Sequence, residues 1–388
     1  MITISEQERI SAIERYLSGD NPIEIVESLG KSKSWLYKWV NRYNSSDPSW
    51  YKENSKRPKI SRVKVSDEIE EAVRIVRLYL YNKNLFHGAQ AIQWELDEMG
   101  IKPLPSLRTI NRILYKRDLT HRRTGKYIPK GTPYPKLIAE NPNQVHQADF
   151  IGPVYLKGSI RFYSLNIVDI ATGRCGSQPI LSRKSQNSID SLWSIWWRLG
   201  IPQHLQVDNE LVFYGSNRHP RGMSAFMRLC LHYDVELWFI PVREPWRNGV
   251  VEKFNEHYRQ KFLNKVFIQS EEQLAAESLN FESKHNNEYR YSKLKGKTPM
   301  KSLQSYICEL KYPPFKQAPR LPLEKPEKGR YHFIRFIRSD LCLSIFSEKF
   351  YMPSDLMYEY VIATVDVKEQ KLNIFHNNTQ VEEFSYKL

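Results

Sequence analysis

Hydrophobic residues recur at helical spacing through the first 44 residues, in three segments. Glycine- and asparagine-containing breaks at 19–22 and at Gly30 separate the segments, and the third is SKSWLYKWVNRYN. A short helix, a glycine turn and a basic, aromatic-rich helix are the pattern of a helix-turn-helix, whose last helix enters the major groove. Trp35 and Trp39 flank the apolar stripe and are predicted to be core residues. The predicted base and phosphate contacts are Lys33, Ser34, Tyr37, Lys38, Asn41 and Arg42.

The same pattern returns between residues 66 and 117. Helices are predicted at about 66–81 and 87–99, and a third follows Pro105-Ser106. In that third helix Arg108, Asn111 and Arg112 project away from the apolar positions and are further predicted DNA contacts. Any small three-helix bundle would show this pattern, so a helix-turn-helix is one of two interpretations.

From residue 143 the pattern changes to strands alternating with helices. Three consecutive strands are predicted in 145–156, 161–173 and 174–181, then a helix at about 186–198, and two short strands, HLQVD and VELWFIP, with a helix near 221–233 between them. A long helix starts near Arg247-Asn248 and runs past Phe262. This order predicts a mixed five-stranded sheet with helices on both faces.

The last 78 residues contain no helical pattern. Residues 311–330 include five prolines and are predicted to be an extended spacer. Residues 331–388 break into short strand-like runs, for which a small β-barrel is the simplest interpretation. The predicted organisation is a helix-turn-helix at 1–50, a basic linker at 51–65, a second helix-turn-helix-like unit at 66–120, a basic linker at 121–142, an α/β core with trailing helices at 143–310, the spacer at 311–330 and the barrel at 331–388.

Charge and composition narrow the function. The 388 residues carry a net charge of +15, and residues 108–130 alone hold eight basic side chains against one acidic. Basic linkers between folded units favour binding along a phosphate backbone. No apolar run is long enough for a membrane span, the N-terminus does not read as a secretory signal, and the four cysteines lie far apart. We therefore expect a cytoplasmic, nucleoid-associated protein without a disulfide framework or a cysteine-based zinc site.

Three acidic residues of the core stand in apolar surroundings. Asp149 lies in the first strand, Asp208 ends HLQVD, and Glu252 is in the first turns of the last helix. Each alone is best explained as a structural carboxylate. If they converge, their mutual repulsion requires protons or cations, and carboxylate oxygens suit Mg²⁺ or Mn²⁺. Two such ions can drive an in-line displacement at a phosphodiester.

The strings VHQADFIG, VDNE and PVREPWRNGVVEKFN, in that order, resemble the retroviral-integrase-like transposases of bacterial insertion sequences. The resemblance implies an RNase H-like fold and a catalytic triad of Asp149, Asp208 and Glu252 that holds two divalent ions. It also implies hydrolysis of a transposon end, followed by attack of the freed 3′-hydroxyl on target DNA. Asn248 and Arg259 are predicted to share the face of Glu252 and to hold the DNA end.

Three features depart from that family. The 43 residues between Asp208 and Glu252 exceed the usual spacing, and the stretch GSNRHPRG (215–222) is predicted to be the loop that absorbs the excess. Glu210 stands where the family often has glycine, and no His/Cys zinc module precedes the core. Asp169 is a fourth acid, interpreted as structural.

Two other hypotheses stay open. One is a catalytically idle DNA-binding regulator derived from a transposase, and the other is a structure-specific nuclease of the same fold. The partners expected for a transposase are double-stranded DNA, both transposon ends and target, and further copies of the chain in a synaptic complex. Because residues 331–388 have a net charge of −2, the predicted barrel is expected to bridge protomers as much as to contact DNA.

Overall fold

The computed structural model describes residues 2–55, 65–120, 133–156, 160–216, 219 and 221–388. Much of the two predicted basic linkers lies outside these residues. The chain forms two compact units, Met1–Lys64 and Val65–Leu388. In the described part of the chain no helix is long and apolar enough to cross a membrane.

The first unit is a small bundle of three helices. They are α1 (Ile4–Leu17), α2 (Pro22–Ser28) and α3 (Lys33–Val40). Polar side chains start each helix: Thr3 forms a capping box with Glu6, and Asn21 and Ser32 accept hydrogen bonds from the first turns of α2 and α3. Ala12, Ile25, Leu36 and Trp39 are fully buried, which confirms the core role predicted for Trp39.

Three further helices open the second unit. They are α4 (Asp67–Asn82), α5 (Ala89–Glu98) and α6 (Leu107–Lys116). Their shared core extends to Tyr289, far along the chain. Asn84 donates to the carbonyl of Lys261 at 2.7 Å, and the Tyr289 hydroxyl donates to the carbonyl of Asn84 at 2.9 Å. These three helices are therefore packed onto the α/β core and form one compact unit with it.

The α/β core is built on five strands. They are β1 (Val145–Tyr155), β2 (Arg161–Asp169), β3 (Cys175–Ile180), β4 (His204–Val207) and β5 (Glu236–Phe239). Their order in the sheet is β3-β2-β1-β4-β5. Strand β2 is antiparallel to both of its neighbours, β1 and β3, whereas β4 pairs in parallel with β1 and β5 pairs in parallel with β4. This is the mixed sheet predicted from the sequence.

Helices cover both faces of the sheet. The connecting helices are α7 (Ser185–Leu199), α8 (Leu211–Tyr214), α9 (Ala225–His232), α10 (Gly249–His257), α11 (Glu271–Glu288) and α12 (Pro299–Leu303). Side chains of β1 alternate between the two layers: Phe150 packs with the α7 and α9 cluster, whereas Ile151 packs with the α10 and α11 cluster. Asp149 consequently points to the α10 side.

The C-terminal strands are β6 (Arg330–Phe336), β7 (Cys342–Ile345), β8 (Glu348–Tyr351), β9 (Tyr360–Asp366), β10 (Lys371–His376) and β11 (Thr379–Ser385). The expectation of a separate small barrel is not confirmed. Strand β6 pairs in parallel with β5, and β9, β10 and β11 continue outward, so that among the described residues one sheet has nine strands; β7 and β8 form a hairpin apart from it. Phe333 and Val365 share one hydrophobic cluster with Leu237 of the core.

The predicted surface loop at 215–222 also contacts this extension. Arg221 donates two hydrogen bonds to the carboxylate of Glu348, at 2.8 and 2.9 Å, and lies over the ring of Tyr386 at 4.7 Å. The extra length between Asp208 and Glu252 thus carries a residue that fastens the core to its C-terminal strands.

Candidate active site

Asp149 and Asp208 lie side by side on neighbouring parallel strands. Gln147 of β1 is level with Gln206 of β4, so Asp149 is level with Asp208, which directly follows the end of β4. Backbones of paired strands are about 4.8 Å apart. Strand register therefore brings together two acids that are distant in the sequence.

Glu252 comes to the same edge because the start of α10 is bonded to β1. The side-chain oxygen of Gln147 accepts hydrogen bonds from the backbone N–H groups of Val250 and Val251, at 2.9 and 3.2 Å. These are among the N–H groups that a helix start leaves without internal partners. One glutamine two residues before Asp149 thus positions the turn that carries Glu252.

Asn248 fastens the same junction and is not available to DNA. Its side chain is 2% exposed, donates to the carbonyl of Ala148 at 3.0 Å, and lies 3.4 Å from the Gln206 amide. The prediction that Asn248 holds a DNA end is wrong in this structure. The residue precedes the first helical residue, Gly249, so it does not follow the spacing of the helical face that carries Glu252.

The segment PWRN before α10 is a single 3-10 turn that begins at Pro245. Arg247 donates to the carboxylate of Glu244 at 2.8 Å and to the Tyr360 hydroxyl at 3.1 Å, so strand β9 also holds this turn. Trp246 beside it is 52% exposed.

Asn255, one turn after Glu252, was not singled out from the sequence. It is 7% exposed, and its amide donates to Asp149 Oδ2 at 2.7 Å. Its own Oδ1 accepts from Asn166 at 2.7 Å, and Asn166 lies directly opposite Asp149 on β2. An asparagine on an amphipathic helix gives no sequence signal of this kind, because its partners are set by the packing of α10 on the sheet.

The acids interact electrostatically. Burial raises the pKa of Asp149 to about 7, and the negative charges of Asp208, Glu210 and Glu252 contribute to that rise. Burial raises the pKa of Asp208 to about 6, against the opposing effect of a hydrogen bond from the Glu210 backbone. Burial raises the pKa of Glu252 as well. The site therefore concentrates more negative charge than its surroundings stabilise.

Glu210 is a further acid near this edge, with a cationic partner of its own. Its carboxylate pairs with Arg183, and its backbone N–H donates to Asp208 Oδ1 at 3.0 Å. Asp169, by contrast, is fully buried and accepts from the backbone N–H groups of Asn143, Ala171 and Thr172. Those bonds agree with the structural role expected of Asp169.

The donor chemistry at this edge fits a divalent cation. Carboxylate oxygens are hard ligands, and a bound cation would favour the ionised form that burial disfavours in these carboxyl groups. Within the described ranges, no group of three or more His, Cys, Asp or Glu side chains is placed to hold one ion together. Mg²⁺ commonly keeps several waters and takes only one or two protein carboxylates, so pairs of these acids suffice for ligation.

The predicted DNA contacts of the first unit lie on α3 and on the two residues that follow it. Lys33, Ser34, Tyr37, Lys38 and Asn41 are exposed, and Arg42 is half-buried. Lys38 pairs with Glu53 at 3.1 Å, and the Arg42 guanidinium lies 5.0 Å from the centre of the Trp39 ring. These contacts fix the basic side chains on the α3 surface.

In the second unit the predicted contacts differ in exposure. Arg108 and Arg112 are exposed on α6, whereas Asn111 is half-buried and donates to the carbonyl of Leu107 at 2.9 Å. Arg259 is exposed but lies in a π-helical turn, Tyr258–Leu263, which continues α10. All four cysteines are free.

Two family models match parts of this chain. Residues 3–49 match the homeodomain-like domain, which spans α1, α2 and α3. Residues 233–299 match the integrase core domain, a stretch that contains β5, α10 with Glu252, and α11. A match to a homeodomain-like domain followed by a match to an integrase core domain is consistent with a transposase or integrase. None of the curated proteins matches this chain.

Several solved structures resemble parts of the chain at low identity. The HTLV-2 integrase catalytic core domain in complex with magnesium (dimeric form) is 21% identical, with a TM-score of 0.33, covering 41% of this chain and 95% of its own. The simian T-cell lymphotropic virus intasome in complex with PP2A regulatory subunit B56 gamma is 15% identical, with a TM-score of 0.37, covering 73% and 90%. The BIV integrase catalytic core is 14% identical, with a TM-score of 0.32, covering 42% and 94%.

Proposed function

We propose that this chain is a DNA transposase or integrase in which Asp149, Asp208 and Glu252 hold two divalent cations at the reacting phosphodiester. The observation that supports it most is geometric. Strand register sets Asp149 level with Asp208, and the bonds of Gln147 and Asn248 to their neighbours bring the Glu252 helix to the same edge.

The proposed reaction has two steps. Water attacks a phosphorus at the transposon end, forming one P–O bond and breaking the bond to the 3′ oxygen, which leaves as a 3′-hydroxyl. That hydroxyl then attacks a target phosphorus and displaces a target 3′ oxygen in the same way. A pair of Mg²⁺ or Mn²⁺ ions would activate the attacking oxygen and stabilise the leaving oxygen.

The protein side chains supply position and charge. Asp149 is level with Asp208 on the neighbouring strand and feels the charge of Glu252, so it would serve both ions, one with Asp208 and one with Glu252. Asn255 orients the Asp149 carboxylate through its 2.7 Å hydrogen bond. Gln147 and Asn248 keep the α10 turn close to β1 when DNA binds. Such preorganisation allows charge to be stabilised in the transition state without rearranging the site.

The exposed face of α3 would recognise the transposon ends. Its exposed residues include two lysines and a tyrosine, and Asn41 follows directly; such side chains reach base edges and phosphates. Arg108 and Arg112 on α6 and Arg259 after α10 would add phosphate contacts from the second unit. Transposition joins two ends in one complex, so we expect copies of the chain to associate on DNA.

A cleavage and strand-transfer assay tests this function. The substrates are duplexes of the DNA that flanks the gene, first searched for terminal inverted repeats (repeat DNA), with Mg²⁺ or Mn²⁺. Wild-type protein is expected to release 3′-hydroxyl ends and join them to target DNA, whereas Asp149→Asn, Asp208→Asn and Glu252→Gln give no product. Glu256→Gln is the matched control, because Glu256 lies on the same helix, is exposed and pairs with Lys253.

The alternatives correspond to different results. Tight binding of repeat DNA without any product under either metal would favour a catalytically idle regulator. Cleavage of branched DNA in preference to repeat DNA would favour a structure-specific nuclease. Full activity of Asp149→Asn would overturn the assignment of the site.

A further inference from the structure

Arg335 is a buried arginine on β6, outside the acidic edge. It is 7% exposed, and burial lowers its pKa to about 10, so the guanidinium stays charged at neutral pH. Its four hydrogen bonds given by the structure all go to backbone carbonyl or side-chain amide oxygens: Ser344 at 3.2 Å, Ile240 at 3.1 Å, Ile334 at 2.9 Å and Asn209 at 2.8 Å. Among the described residues no carboxylate pairs with it, which is uncommon for a buried arginine and calls for an explanation in its contacts.

The contacts with Asn209 and Ile240 close a triangle. Arg335 donates to Asn209 Oδ1 and to the Ile240 carbonyl, and Asn209 itself donates to the same carbonyl at 2.7 Å. Each of the three groups is therefore fixed by the other two. Three mutual hydrogen bonds restrict these groups more than a single bond would. Breaking any one of them leaves a buried polar group without one of its partners, which is unfavourable.

These three hydrogen bonds link the segment that follows Asp208 to the segment that leads from β5 to the Glu252 helix. Asn209 directly follows Asp208, whose carboxylate is turned back to accept from the Glu210 backbone at 3.0 Å. Ile240 follows β5 and precedes the loop that leads through PWRN to the Glu252 helix. One side chain of the C-terminal extension thus fixes the backbone beside Asp208 and the start of the segment that carries Glu252.

We propose that Arg335 is a positioning residue of the active site, which holds Asp208 in its cation-binding orientation from strand β6. The cation-binding role of Asp208 rests on the proposed function. That Arg335 fixes the backbone beside Asp208 does not depend on it. It also assigns the C-terminal strands a part in the catalytic site, beyond extending the sheet.

The test compares Arg335→Met with Arg77→Met. Arg77 is equally buried, at 7% exposure, and likewise donates to two backbone carbonyls, those of His87 and Leu119, in the helical part of the same unit. Arg335→Lys, which keeps the charge but not the forked geometry, serves if the methionine variant does not fold. Two readouts are used: hydrogen exchange of peptides covering 208–214 and 240–248, and Mn²⁺ binding to the metal-free protein measured by calorimetry.

The expected result is faster exchange in both peptides for the Arg335 variant only, together with about tenfold weaker Mn²⁺ binding, the size typical of a residue that orients a metal ligand. Arg77→Met should bind Mn²⁺ within twofold of wild type. Unchanged exchange, or equal Mn²⁺ affinity in the two variants, would overturn the inference. If wild-type protein binds no Mn²⁺, the proposed function fails, and hydrogen exchange alone then decides whether Arg335 positions these segments.

Discussion

Asn255 donates a hydrogen bond of 2.7 Å to Asp149, and it is held in place by Asn166 directly across the sheet from that aspartate. Two buried asparagines and the half-buried aspartate thus form a polar chain from β2 through α10 to β1. Its end is the carboxylate on which the proposed chemistry depends.

Replacing Asn255 with alanine should disable the site more than it destabilises the fold. The carboxylate of Asp149 loses a donor, so its pKa should rise and its cation affinity should fall. We expect 10- to 100-fold lower strand-cutting activity and a loss of about 1–3 kcal/mol in unfolding free energy. Asn287→Ala is the control, because Asn287 is exposed and bonds only within its own helix. Equal activity of the two variants would contradict this role.

Asp149→Asn should make the metal-free protein more stable at pH 8. A carboxyl whose pKa is raised on folding destabilises the folded state once it must ionise, so the wild-type protein loses stability as the pH rises from about 4 to the folded pKa of about 7. The asparagine variant avoids this loss. We expect a gain of about 2–4 kcal/mol at pH 8 and almost none near pH 4, by urea unfolding. A variant less stable than wild type at pH 8 would contradict a raised pKa of Asp149 in the folded protein.

For Glu236 we expect the opposite pH dependence of folding stability. This residue lies on β5, the core strand that pairs with β6 of the C-terminal extension. Burial would raise its pKa, but hydrogen bonds from His204 and His332, together with the charge of Arg330, hold that pKa well below the usual range. Its stabilising effect is therefore full above about pH 4.5 and fades as the pH falls towards the folded pKa.

Glu236→Gln should accordingly cost about 1–3 kcal/mol of unfolding free energy at pH 7 and less at pH 3.5. Urea unfolding at the two pH values measures this. Glu383→Gln, at an exposed pair with Lys371, should change stability by under about 1 kcal/mol at either pH. A loss from Glu236→Gln that grew on acidification would reverse the sign and refute the interpretation.

Whether the start of α10 requires a glycine at position 249 can be tested by adding a single methyl group. The φ of Gly249 is −62°, an ordinary helical value, and a Cβ added there would meet nothing within 4 Å. Gly249→Ala should therefore raise unfolding free energy by about 0.5–1 kcal/mol. If the alanine variant is more stable but cleaves DNA less, the glycine is needed for close approach of DNA and not for the turn. A lower unfolding free energy of the variant would instead show that the backbone at this position is strained.

The sequence predicted well what depends on local pattern. The exposed face of α3, the buried Trp39 and the succession of five strands and their helices in the core all follow from apolar spacing, which is set by side chains close in the chain. Asn248 was misplaced because the helical count was carried back into a 3-10 turn. Arg259 was placed on the face of Glu252 by α-helical spacing, but it lies in a π-helical turn with a different number of residues per turn. A shared face with Glu252 therefore does not follow from the spacing alone.

Other features depend on contacts that local pattern does not encode. Short strands read alike whether they close a barrel or extend a neighbouring sheet, so the pairing of β6 with β5 could not be foreseen. Truncation near Arg330, which a separate barrel would tolerate, is instead expected to expose core residues such as Leu237. Asn255 and Arg335 were missed for the same reason, since their partners lie 106 and 126 residues away.

Counting bound Mn²⁺ by electron paramagnetic resonance tests the central claim most directly. Metal-free protein is titrated with Mn²⁺ in the presence of repeat DNA, for wild type, Asp149→Asn and the control Glu256→Gln. We expect two ions per chain in wild type and control, and none at this site in Asp149→Asn. Undiminished binding by Asp149→Asn would contradict the account.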